Sequence, residues 1–356
     1  MTPVRNKIKV LIVDDSALVR TILSREMARD PEIEVVGAAS DAFEARDMII
    51  AYRPDVITLD VEMPRMSGME FLDRLMKHYP VPVIMFSTLT YAGAKLALEA
   101  LDKGAVDVMH KPDHTSAGLH EVMDQLIDKV KAAHRAIRRP KPVLRGIGHP
   151  GSIRARGVDP TRHLIAIGAS TGGTEALTSI LTNMPEDSPP IVIVQHMPEG
   201  FTAAFAERLN SKSPMRVIEA PESIVLEPGL AVLAHGNYHL TVERRGNGWL
   251  ARSRTGALVC RHRPSVEVLF QSVAKAAGPA AVGVILTGMG ADGADGLLAM
   301  HQAGAATIAQ DERSCVVFGM PKEAIQRGAV DRVLGLANIP HGIITSLTRA
   351  PAKAVR

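Results

Sequence analysis

Residues 10–16 read VLIVDDS, a short apolar run that stops at two aspartates and a serine. Such a brief run rich in Val and Ile favours a buried β-strand. Residues 17–29 follow with an apolar residue every three or four positions, the period of an amphipathic helix, and Ser16 is a suitable N-cap. The start of the chain therefore predicts a strand, a turn that holds Asp14 and Asp15, and a helix.

The same alternation of short apolar runs and helical patterns continues to residue 128. The predicted strands are residues 8–13, 34–38, 56–59, 83–86 and 106–109. Five strands that alternate with helices, one of them at 68–78, indicate a parallel doubly wound sheet of the flavodoxin-like type.

Chemically informative residues follow four of these strands. Asp14 and Asp15 follow the first, Asp60 the third, Ser87 the fourth and Lys111 the fifth. The carboxyl ends of parallel strands meet at one edge of a sheet, where ligands bind. Converging carboxylates repel one another unless a cation joins them, and oxygen-only ligands suit Mg²⁺. An Asp there can act as a nucleophile toward phosphate. The alternative is that the aspartates simply cap the next helix.

These positions carry a specific resemblance. VLIVDDS at 10–16, TLDVEMPRMSG at 58–68, Ser87 and the Lys111–Pro112 pair resemble the receiver domain of bacterial response regulators. The resemblance implies that Lys111 contacts phosphoryl oxygens, while Ser87 hydrogen-bonds the phosphate and relays its presence.

The resemblance also implies a phosphoacceptor and a metal site. Asp60 is expected to accept phosphate from a partner histidine kinase. Asp14, Asp15 and Asp60, with the backbone carbonyl of Glu62, are expected to hold Mg²⁺.

Charge divides the chain into three segments. The formal net charge is only +3, which argues against a generally basic nucleic-acid-binding protein. Residues 1–128, the predicted receiver domain, hold 14 basic and 21 acidic residues; residues 129–162 hold 10 and one. Residues 163–356 hold 17 basic and 16 acidic residues. Because 129–162 also contains several Pro and Gly, we expect a basic linker, either a solvated hinge or a docking strip for an acidic surface.

The two cysteines and the hydropathy pattern indicate the cellular compartment of the protein. Cys260 and Cys315 cannot form a disulfide framework and suit a reducing compartment. No run of about 20 apolar residues is present to span a membrane. The first apolar run ends at charged residues, unlike a signal peptide. We therefore expect a cytoplasmic protein.

A G-x-S-x-G motif opens the second domain. Gly168–Gly172 reads GASTG, follows the apolar run 164–167 and precedes a helical pattern that begins near Thr174. A strand, a sharp turn and a helix are the context of a nucleophile elbow, which would expose the hydroxyl of Ser170. The motif is short, and a helix-capping or phosphate-binding turn is the alternative.

A G-x-G-x-x-G motif follows a later apolar run. Gly288–Gly293 comes after 282–286, and Asp311 lies 18 positions further on, a spacing that imitates a dinucleotide-binding site. The unit comes late in its domain, however, and Asp292 would face the pyrophosphate. We therefore favour Asp292 as the orienting acid of a catalytic triad; a close-packed turn is the simplest alternative.

A histidine completes the predicted triad. His196 follows the run 191–194, which places Ser170, His196 and Asp292 at the ends of three strands of one parallel sheet. A Ser hydroxyl needs a base to remove its proton, and the base needs an acid to fix its tautomer. The order Ser, His, Asp differs from that of α/β-hydrolases.

Three other histidines compete for the role of base. His235 and His239 flank a turn, and His239 begins the first strand of a predicted hairpin that closes at 245–248. His262 lies between two arginines. Spacing alone leaves these alternatives open.

Five blocks of the second domain resemble the chemotaxis protein-glutamate methylesterase family, CheB. They are IAIGASTGGTE (165–175), VQHMPEGF (194–201), RHRPSVEVLF (261–270), VGVILTGMGADG (282–293) and CVVFGMP (315–321). The resemblance implies that residues 163–350 form a Rossmann-like serine methylesterase domain behind the receiver and linker, with Ser170, His196 and Asp292 as the triad. The tail after about residue 344 matches poorly.

The resemblance implies a substrate, partners and a form of control. The substrate would be a γ-glutamyl methyl ester on the cytoplasmic helices of a chemoreceptor, and receptor glutamines would be deamidated by the same route. The backbone amide of Met289 is a candidate oxyanion donor, and no cofactor is expected in this domain. The receiver would block the active site until Asp60 is phosphorylated. The alternatives are a DNA-binding response regulator, an NAD-dependent enzyme that uses Gly288–Gly293, and an adaptor without catalysis.

Overall fold

The computed structural model describes residues 7–87, 90–111, 116–137 and 159–348, and all structural statements below refer to these residues. The chain divides into two compact units, residues 1–140 and 141–356. Each is built on a parallel sheet, which confirms the predicted α/β fold class; helices separate all successive strands of the first unit and several of those of the second. Among the described helices, none is both long and apolar enough to cross a membrane.

The first unit contains five strands and five helices in strict alternation. They are β1 (Ile8–Val13), α1 (Ala17–Met27), β2 (Ile33–Ala39), α2 (Ala42–Tyr52), β3 (Val56–Asp60), α3 (Gly68–His78), β4 (Val83–Ser87), α4 (Tyr91–Asp102), β5 (Asp107–His110) and α5 (Ser116–Ile137). The five predicted strands and the helix at 68–78 are confirmed, each strand boundary to within one residue.

The strand order of this unit is β2-β1-β3-β4-β5, and every pair is parallel. This is the flavodoxin-like order, whose reversal beside β1 creates a crevice at the carboxyl edge. The central strands are buried on both faces, which explains why they read as continuous apolar runs rather than as alternating patterns. Helices start where the sequence supplies caps: Ser16 accepts from the amide of Val19, and Ser67 forms a capping box with Glu70.

Helix α5 extends beyond the boundary that charge placed at residue 128. Its last nine residues, 129–137, were assigned to the basic linker, yet they are helical. Lys129 Nζ lies 2.6 Å from Asp107 Oδ2, and Lys131 Nζ lies 2.8 Å from Asp30 Oδ2. The first lysines of the basic segment thus neutralise carboxylates of their own acidic unit. Residues 138–158, most of the predicted linker, lie outside the described residues.

The second unit is larger and mixes a parallel sheet with a small antiparallel one. Its strands and helices are β6 (Leu164–Ala169), α6 (Gly173–Thr182), β7 (Ile191–Gln195), α7 (Phe201–Lys212), β8 (Arg216–Glu219), β9 (Ser223–Leu226), β10 (Leu230–Leu233), β11 (His239–Arg245), β12 (Gly248–Arg254), α8 (Val266–Ala277), β13 (Ala281–Ile285), α9 (Ala294–Gln302), β14 (Ala306–Gln310), α10 (Met320–Gln326), β15 (Arg332–Leu334) and α11 (Ile339–Leu347). Short 3₁₀ turns lie at Pro160–Arg162, Gly278–Ala280 and Leu336–Asn338.

Seven of these strands form one parallel sheet in the order β15-β14-β13-β6-β7-β10-β8. The chain builds outward from β6 in one direction and returns to build from β13 in the other, which is the Rossmann-like arrangement. The strand order therefore reverses between β6 and β13, and the carboxyl ends of β13, β6 and β7 lie side by side. Ligands of doubly wound sheets bind at such a reversal.

The remaining strands form an antiparallel sheet in the order β11-β12-β9. The predicted hairpin is confirmed, with Arg245 paired with Gly248 at its closed end. Strand β9 was not predicted, nor were the parallel strands β8, β10, β14 and β15, because runs of three to five residues carry too little pattern. Trp249 is buried on the face of this sheet that packs toward α8, where Val242 N donates to Ser272 Oγ at 3.0 Å.

Phe270 tests the packing of the second unit. Its ring is fully buried in α8, and it lies against the start of α9, where Gly296 leaves room for its Cβ. We expect Phe270→Ala to lower the free energy of unfolding of this unit by about 3–5 kcal/mol, because the cavity cannot close completely. Val333→Ala is the control, since this side chain is 49% exposed and should change stability by less than about 0.5 kcal/mol.

Urea denaturation followed by tryptophan fluorescence measures both variants, because Trp249, the single tryptophan, belongs to this unit. A loss for Phe270→Ala no larger than that of the control would show that the ring is not part of the core.

Candidate phosphoacceptor and active sites

The predicted acidic cluster forms at the carboxyl edge of the first sheet. Asp14 and Asp15 follow β1, and Asp60 is the last residue of β3. One carboxylate oxygen from each of the three lies within 4.8 Å of the others. Asp14 and Asp60 are buried, whereas Asp15 is exposed. The parallel pairing of β1 with β3 brings these residues together.

Lys111 and Ser87 lie at the same edge. The ammonium Nζ of Lys111 is 2.7 Å from Asp60 Oδ2 and 3.0 Å from Asp14 Oδ2. The backbone amide of Lys111 donates to the carbonyl of Ser87 at 2.8 Å, so the buried Ser87 is held next to the lysine. The structure therefore assembles these predicted residues in one place, with the lysine as the counter-charge to two carboxylates.

Burial makes this cluster electrostatically costly. The pKa of Asp60 is raised to about 6; burial is the largest cause, the charge of Asp14 acts in the same direction, and the hydrogen bond and charge of Lys111 oppose both. Burial also raises the pKa of Asp14, again against Lys111. For Lys111, burial alone would lower the pKa, but the two carboxylates outweigh it and raise the pKa. Three carboxylates opposed by one ammonium leave an excess of negative charge.

That excess fits a hard divalent cation. The donor set consists of oxygen atoms only, which matches the preference of Mg²⁺ for a few carboxylates and retained water. Glu62 lies beside the cluster, because its amide donates to Asp60 Oδ1 at 3.2 Å. The backbone of Glu62 is thus close to the carboxylates, as its predicted carbonyl ligand requires.

In the second unit, Ser170 occupies the sharp turn between β6 and α6. Its amide donates to the carbonyl of Thr287 at 3.0 Å, and its carbonyl accepts from Gly173 N at 2.7 Å. Gly172 has a φ of +78°, and a Cβ there would lie 2.5 Å from Val316. A glycine is therefore needed both for the backbone conformation and for the close approach of the neighbouring loop. The predicted strand–turn–helix context is present.

His196 and Asp292 form a hydrogen-bonded pair close to this turn. His196 Nε2 lies 2.7 Å from Asp292 Oδ2, and both side chains are buried. The amide of His196 donates to Ala169 O at 3.0 Å, which fixes the histidine beside the strand that carries Ser170. Within the described residues, His196 Nδ1 has no hydrogen-bond partner. The ring thus has one nitrogen committed to the acid and one available to a nucleophile.

Asp292 rests on the first turn of α8. Its Oδ1 accepts from Ser265 Oγ at 2.7 Å and from Glu267 N at 3.0 Å, and its Oδ2 accepts from Val266 N at 2.8 Å. Burial alone would raise the pKa of Asp292, but the hydrogen bond and charge of His196, followed by these donors, lower it to about 2. The carboxylate is therefore ionised at neutral pH. Ser265 was not predicted as part of the site, and no spacing in the sequence identifies it.

Gln195 is a second contributor that sequence reasoning missed. Its buried side-chain amide donates to the carbonyls of Ser170 at 2.9 Å and His196 at 3.2 Å. One side chain thus links the backbones of the predicted nucleophile and the predicted base. Its position directly before His196 is the signal that could have identified it.

The Gly288–Gly293 loop brings Met289 to the same edge. A Cβ on Gly288 would lie 2.7 Å from Ser170 Cβ, so the loop passes directly over the serine. Among the described residues, the amides of Met289 and Thr171 donate no hydrogen bond, which makes both candidates for an oxyanion hole. Thr171, which follows the serine, is the usual position for such a donor and was not predicted.

The same loop does not offer a pyrophosphate site. Gly288 O accepts from Gly319 N at 3.0 Å and from Met320 N at 2.9 Å, so a neighbouring segment covers the turn. Asp311 Oδ1 accepts from Ser314 N at 2.9 Å and from its hydroxyl, which engages this carboxylate within its own loop. The motif is a close-packed turn, and this favours Asp292 as the acid of a triad over the dinucleotide interpretation.

The competing histidines have other surroundings. His239 is buried, with Nε2 bound to the carbonyl of Ala257 at 2.8 Å and Nδ1 accepting from Ser265 N at 3.3 Å. Both of its nitrogens are engaged by backbone, which is a structural role. His235 Nδ1 lies 2.6 Å from Gly236 O.

His262 does contact the predicted base. Its ring stacks on that of His196, with centroids 3.7 Å apart and an interplanar angle of 16°. Sequence reasoning treated His262 only as a competitor for the role of base. The structure places its ring against that of His196 instead.

The fold and these two residue clusters are typical of a class of protein: a response regulator whose receiver-like unit is joined to a doubly wound α/β unit with a carboxylate-bound histidine beside a serine turn. Comparison with known proteins agrees. Residues 10–123 match the model of the response regulator receiver domain, and residues 165–343 match that of the CheB methylesterase family.

Relatives extend this match over nearly the whole chain. A protein-glutamate methylesterase/protein-glutamine glutaminase of Syntrophus aciditrophicus is 52% identical over 95% of this chain and 99% of its own length. One from Caulobacter vibrioides is 51% identical over 95% and 97%. The CheB methylesterase catalytic domain of Thermotoga maritima covers 51% of this chain and 97% of its own, with a TM-score of 0.50 and 38% identity. The chain therefore belongs to the CheB methylesterase family.

The raised pKa of Asp60 predicts a pH-dependent stability difference. The folded protein keeps the Asp60 proton up to about pH 6, whereas the unfolded chain releases it near the ordinary value of 3.8. Rising pH therefore destabilises the native state between these values, and Asp60→Asn removes that loss. In EDTA at pH 7.5 we expect the variant to be more stable by about 1–3 kcal/mol, and the advantage should vanish near pH 4.

Thermal melts across this pH range measure the effect, with Asp15→Asn as the control because Asp15 is an exposed member of the cluster. Parallel stability curves for the wild type and Asp60→Asn would contradict the assignment of the destabilising charge to Asp60.

Proposed function

We propose that this chain is a cytoplasmic, phosphorylation-activated hydrolase that removes γ-methyl esters from glutamates of chemoreceptors and deamidates receptor glutamines, and so tunes chemotactic adaptation. The observation that carries the proposal is the His196–Asp292 hydrogen bond at 2.7 Å, set beside the Ser170 turn at the carboxyl edge of the sheet. The family membership supplies the substrate class, since the relatives are protein-glutamate methylesterases and protein-glutamine glutaminases.

The geometry supports a role for each proposed member of the triad. Asp292 holds Nε2 of His196, so Nδ1 is the nitrogen left to take the proton of Ser170. Ser170 Oγ attacks the ester carbonyl and forms a tetrahedral intermediate. When the intermediate collapses, the C–O bond to the methoxy group breaks, and methanol leaves with the proton held by His196. The ionised Asp292 stabilises the imidazolium in between.

The acyl-enzyme is then hydrolysed by the same groups. A water molecule gives a proton to His196 as it attacks the acyl carbonyl, and the Glu side chain leaves as Ser170 recovers its proton. The amides of Thr171 and Met289 are the proposed donors to the oxyanion in both steps. A glutamine substrate passes through the same acyl-enzyme, with ammonia leaving in place of methanol. No cofactor is proposed for this unit.

The first unit supplies the switch. A histidine kinase donates a phosphoryl group to Asp60, and Mg²⁺ held by Asp14, Asp15, Asp60 and the carbonyl of Glu62 would neutralise the charge that accumulates there. Lys111 would contact the phosphoryl oxygens, and Ser87 would report the phosphate. We propose that the unphosphorylated receiver blocks the active site and that the basic linker permits its release, a shift between two populations.

Ser170→Ala tests the nucleophile. Removal of the hydroxyl should reduce methanol release from methylated receptor by at least about 10⁴-fold, because the acyl-enzyme cannot form. The melting temperature should stay near that of the wild type, since only one oxygen atom is lost. Ser179→Ala, a serine on the helix that follows the same turn, is the matched control and should retain full activity. Methanol release at the wild-type rate from Ser170→Ala would remove the assignment.

Control by the receiver is tested with two variants. A chain that lacks residues 1–140 should release methanol faster than the unphosphorylated full chain, because the block is gone. Asp60→Asn should keep the basal rate and lose the acceleration produced by a small-molecule phosphodonor with Mg²⁺. Equal rates for the truncated and the unphosphorylated full chain would exclude blocking, and continued activation of Asp60→Asn would place the acceptor at another residue.

A further inference from the structure

A tight turn carries His262 to the catalytic histidine. Val259 and His262 face each other across it, with Val259 N donating to His262 O at 3.1 Å and His262 N donating to Val259 O at 2.9 Å. The two residues between them, Cys260 and Arg261, have φ values of +51° and +66°. Positive φ at both central positions is characteristic of the type I′ turn, which favours Asn and Gly.

The backbone of this turn is strained, because Cys260 and Arg261 stand at positions where Asn or Gly adopts the same conformation at lower energetic cost. Residues with a Cβ, such as Cys260 and Arg261, pay an energetic cost for left-handed backbone, and such outliers cluster at functional sites. What the turn achieves is visible in the structure: it presents the half-buried ring of His262 flat against the ring of His196.

The stacked ring restricts a motion that the hydrogen bond between His196 and Asp292 leaves open. The contact between Asp292 and His196 holds one ring nitrogen, but a single hydrogen bond allows the ring to tilt and rotate about it. A second ring 3.7 Å away and nearly parallel restricts that motion. Asp292 holds Nε2 of the His196 ring, and His262 covers one face of that ring. The orientation of Nδ1, the other ring nitrogen of His196, is therefore fixed.

We propose that His262 is a positioning residue, which holds the plane of the His196 ring by stacking so that Nδ1 stays aimed for proton transfer. The proposal rests on the proposed function of Ser170 and His196. It acts through the ring face of His262 and requires no proton transfer by His262 itself. Three residues further along the chain, Ser265 supports Asp292, so one short segment holds both the base and its acid partner.

Two substitutions separate the ring from its nitrogens. His262→Phe keeps a flat ring for stacking and removes the nitrogens, whereas His262→Gln keeps a polar side chain and removes the ring. We expect His262→Gln to lower kcat for methanol release from methylated receptor by about 3- to 10-fold, the effect of losing one ring contact. The KM should change by less than about twofold, and His262→Phe should keep kcat within about twofold of the wild type.

The full chain, activated by a phosphodonor with Mg²⁺, is used for all measurements, and melting temperatures show that each variant is folded. The rate of Ser170 labelling by a fluorophosphonate provides a second readout that depends on the base, and it should fall in His262→Gln alone. Equal loss of kcat in both variants, or wild-type kcat in His262→Gln, would overturn the proposal. If His262→Gln does not fold, His262→Asn replaces it under the same criteria. Wild-type protein that the probe leaves unlabelled at Ser170 would instead contradict the proposed function.

Discussion

The second unit depends on one buried hydrogen-bonded pair, His196 with Asp292. A buried carboxylate needs compensation, and it is provided here by the histidine, by a serine hydroxyl and by two amides at the start of α8. This arrangement constrains the fold in several places at once. Helix α8 must begin at Asp292, the loop after β13 must reach it, and β7 must end where His196 can meet it.

Strand order supplies the geometry that this pair requires. The chain returns to place β13 beside β6, so residues about 120 positions apart in the sequence become neighbours at one edge. Side-chain volume then limits how closely the loop after β13 can approach the loop after β6. Gly288 is needed at this point, because a Cβ there would collide with Ser170. The motif that resembles a dinucleotide fingerprint is therefore explained by packing around the serine rather than by a phosphate.

The sequence allowed the parallel sheets and the residues at their carboxyl edges to be predicted, because both follow from local patterns. Apolar runs mark strands, and a strand end defines where the next polar residue must lie. Residues such as Asp60 and His196 were found in this way. Ser265, Gln195 and the stacking of His262 were not, since their roles depend on which side chain meets which across the fold. Strands β8, β9, β10, β14 and β15 were missed because runs of three to five residues carry too little pattern.

Charge composition was informative about segments and misleading about their boundaries. Lys129 and Lys131 belong to the basic stretch by composition, but each pairs with a carboxylate of the acidic unit and extends its last helix. Long basic side chains next to an acidic surface form ion pairs with its carboxylates. A domain boundary drawn from charge alone therefore lies before the end of the last helix of the unit.

Asp60 and Asp292 show how surroundings decide what one residue type can do. Both lie buried at the carboxyl edge of a parallel sheet. Asp60 shares its site with two further carboxylates and one lysine, and burial raises its pKa to about 6. Asp292 meets only donors, and its pKa is lowered to about 2. A carboxylate such as Asp60, which other carboxylates repel, is stabilised when a cation neutralises those neighbours. This property suits a group that responds to a metal and a phosphoryl group. A carboxylate that is fully satisfied stays charged throughout a catalytic cycle, which suits a group that must hold a histidine.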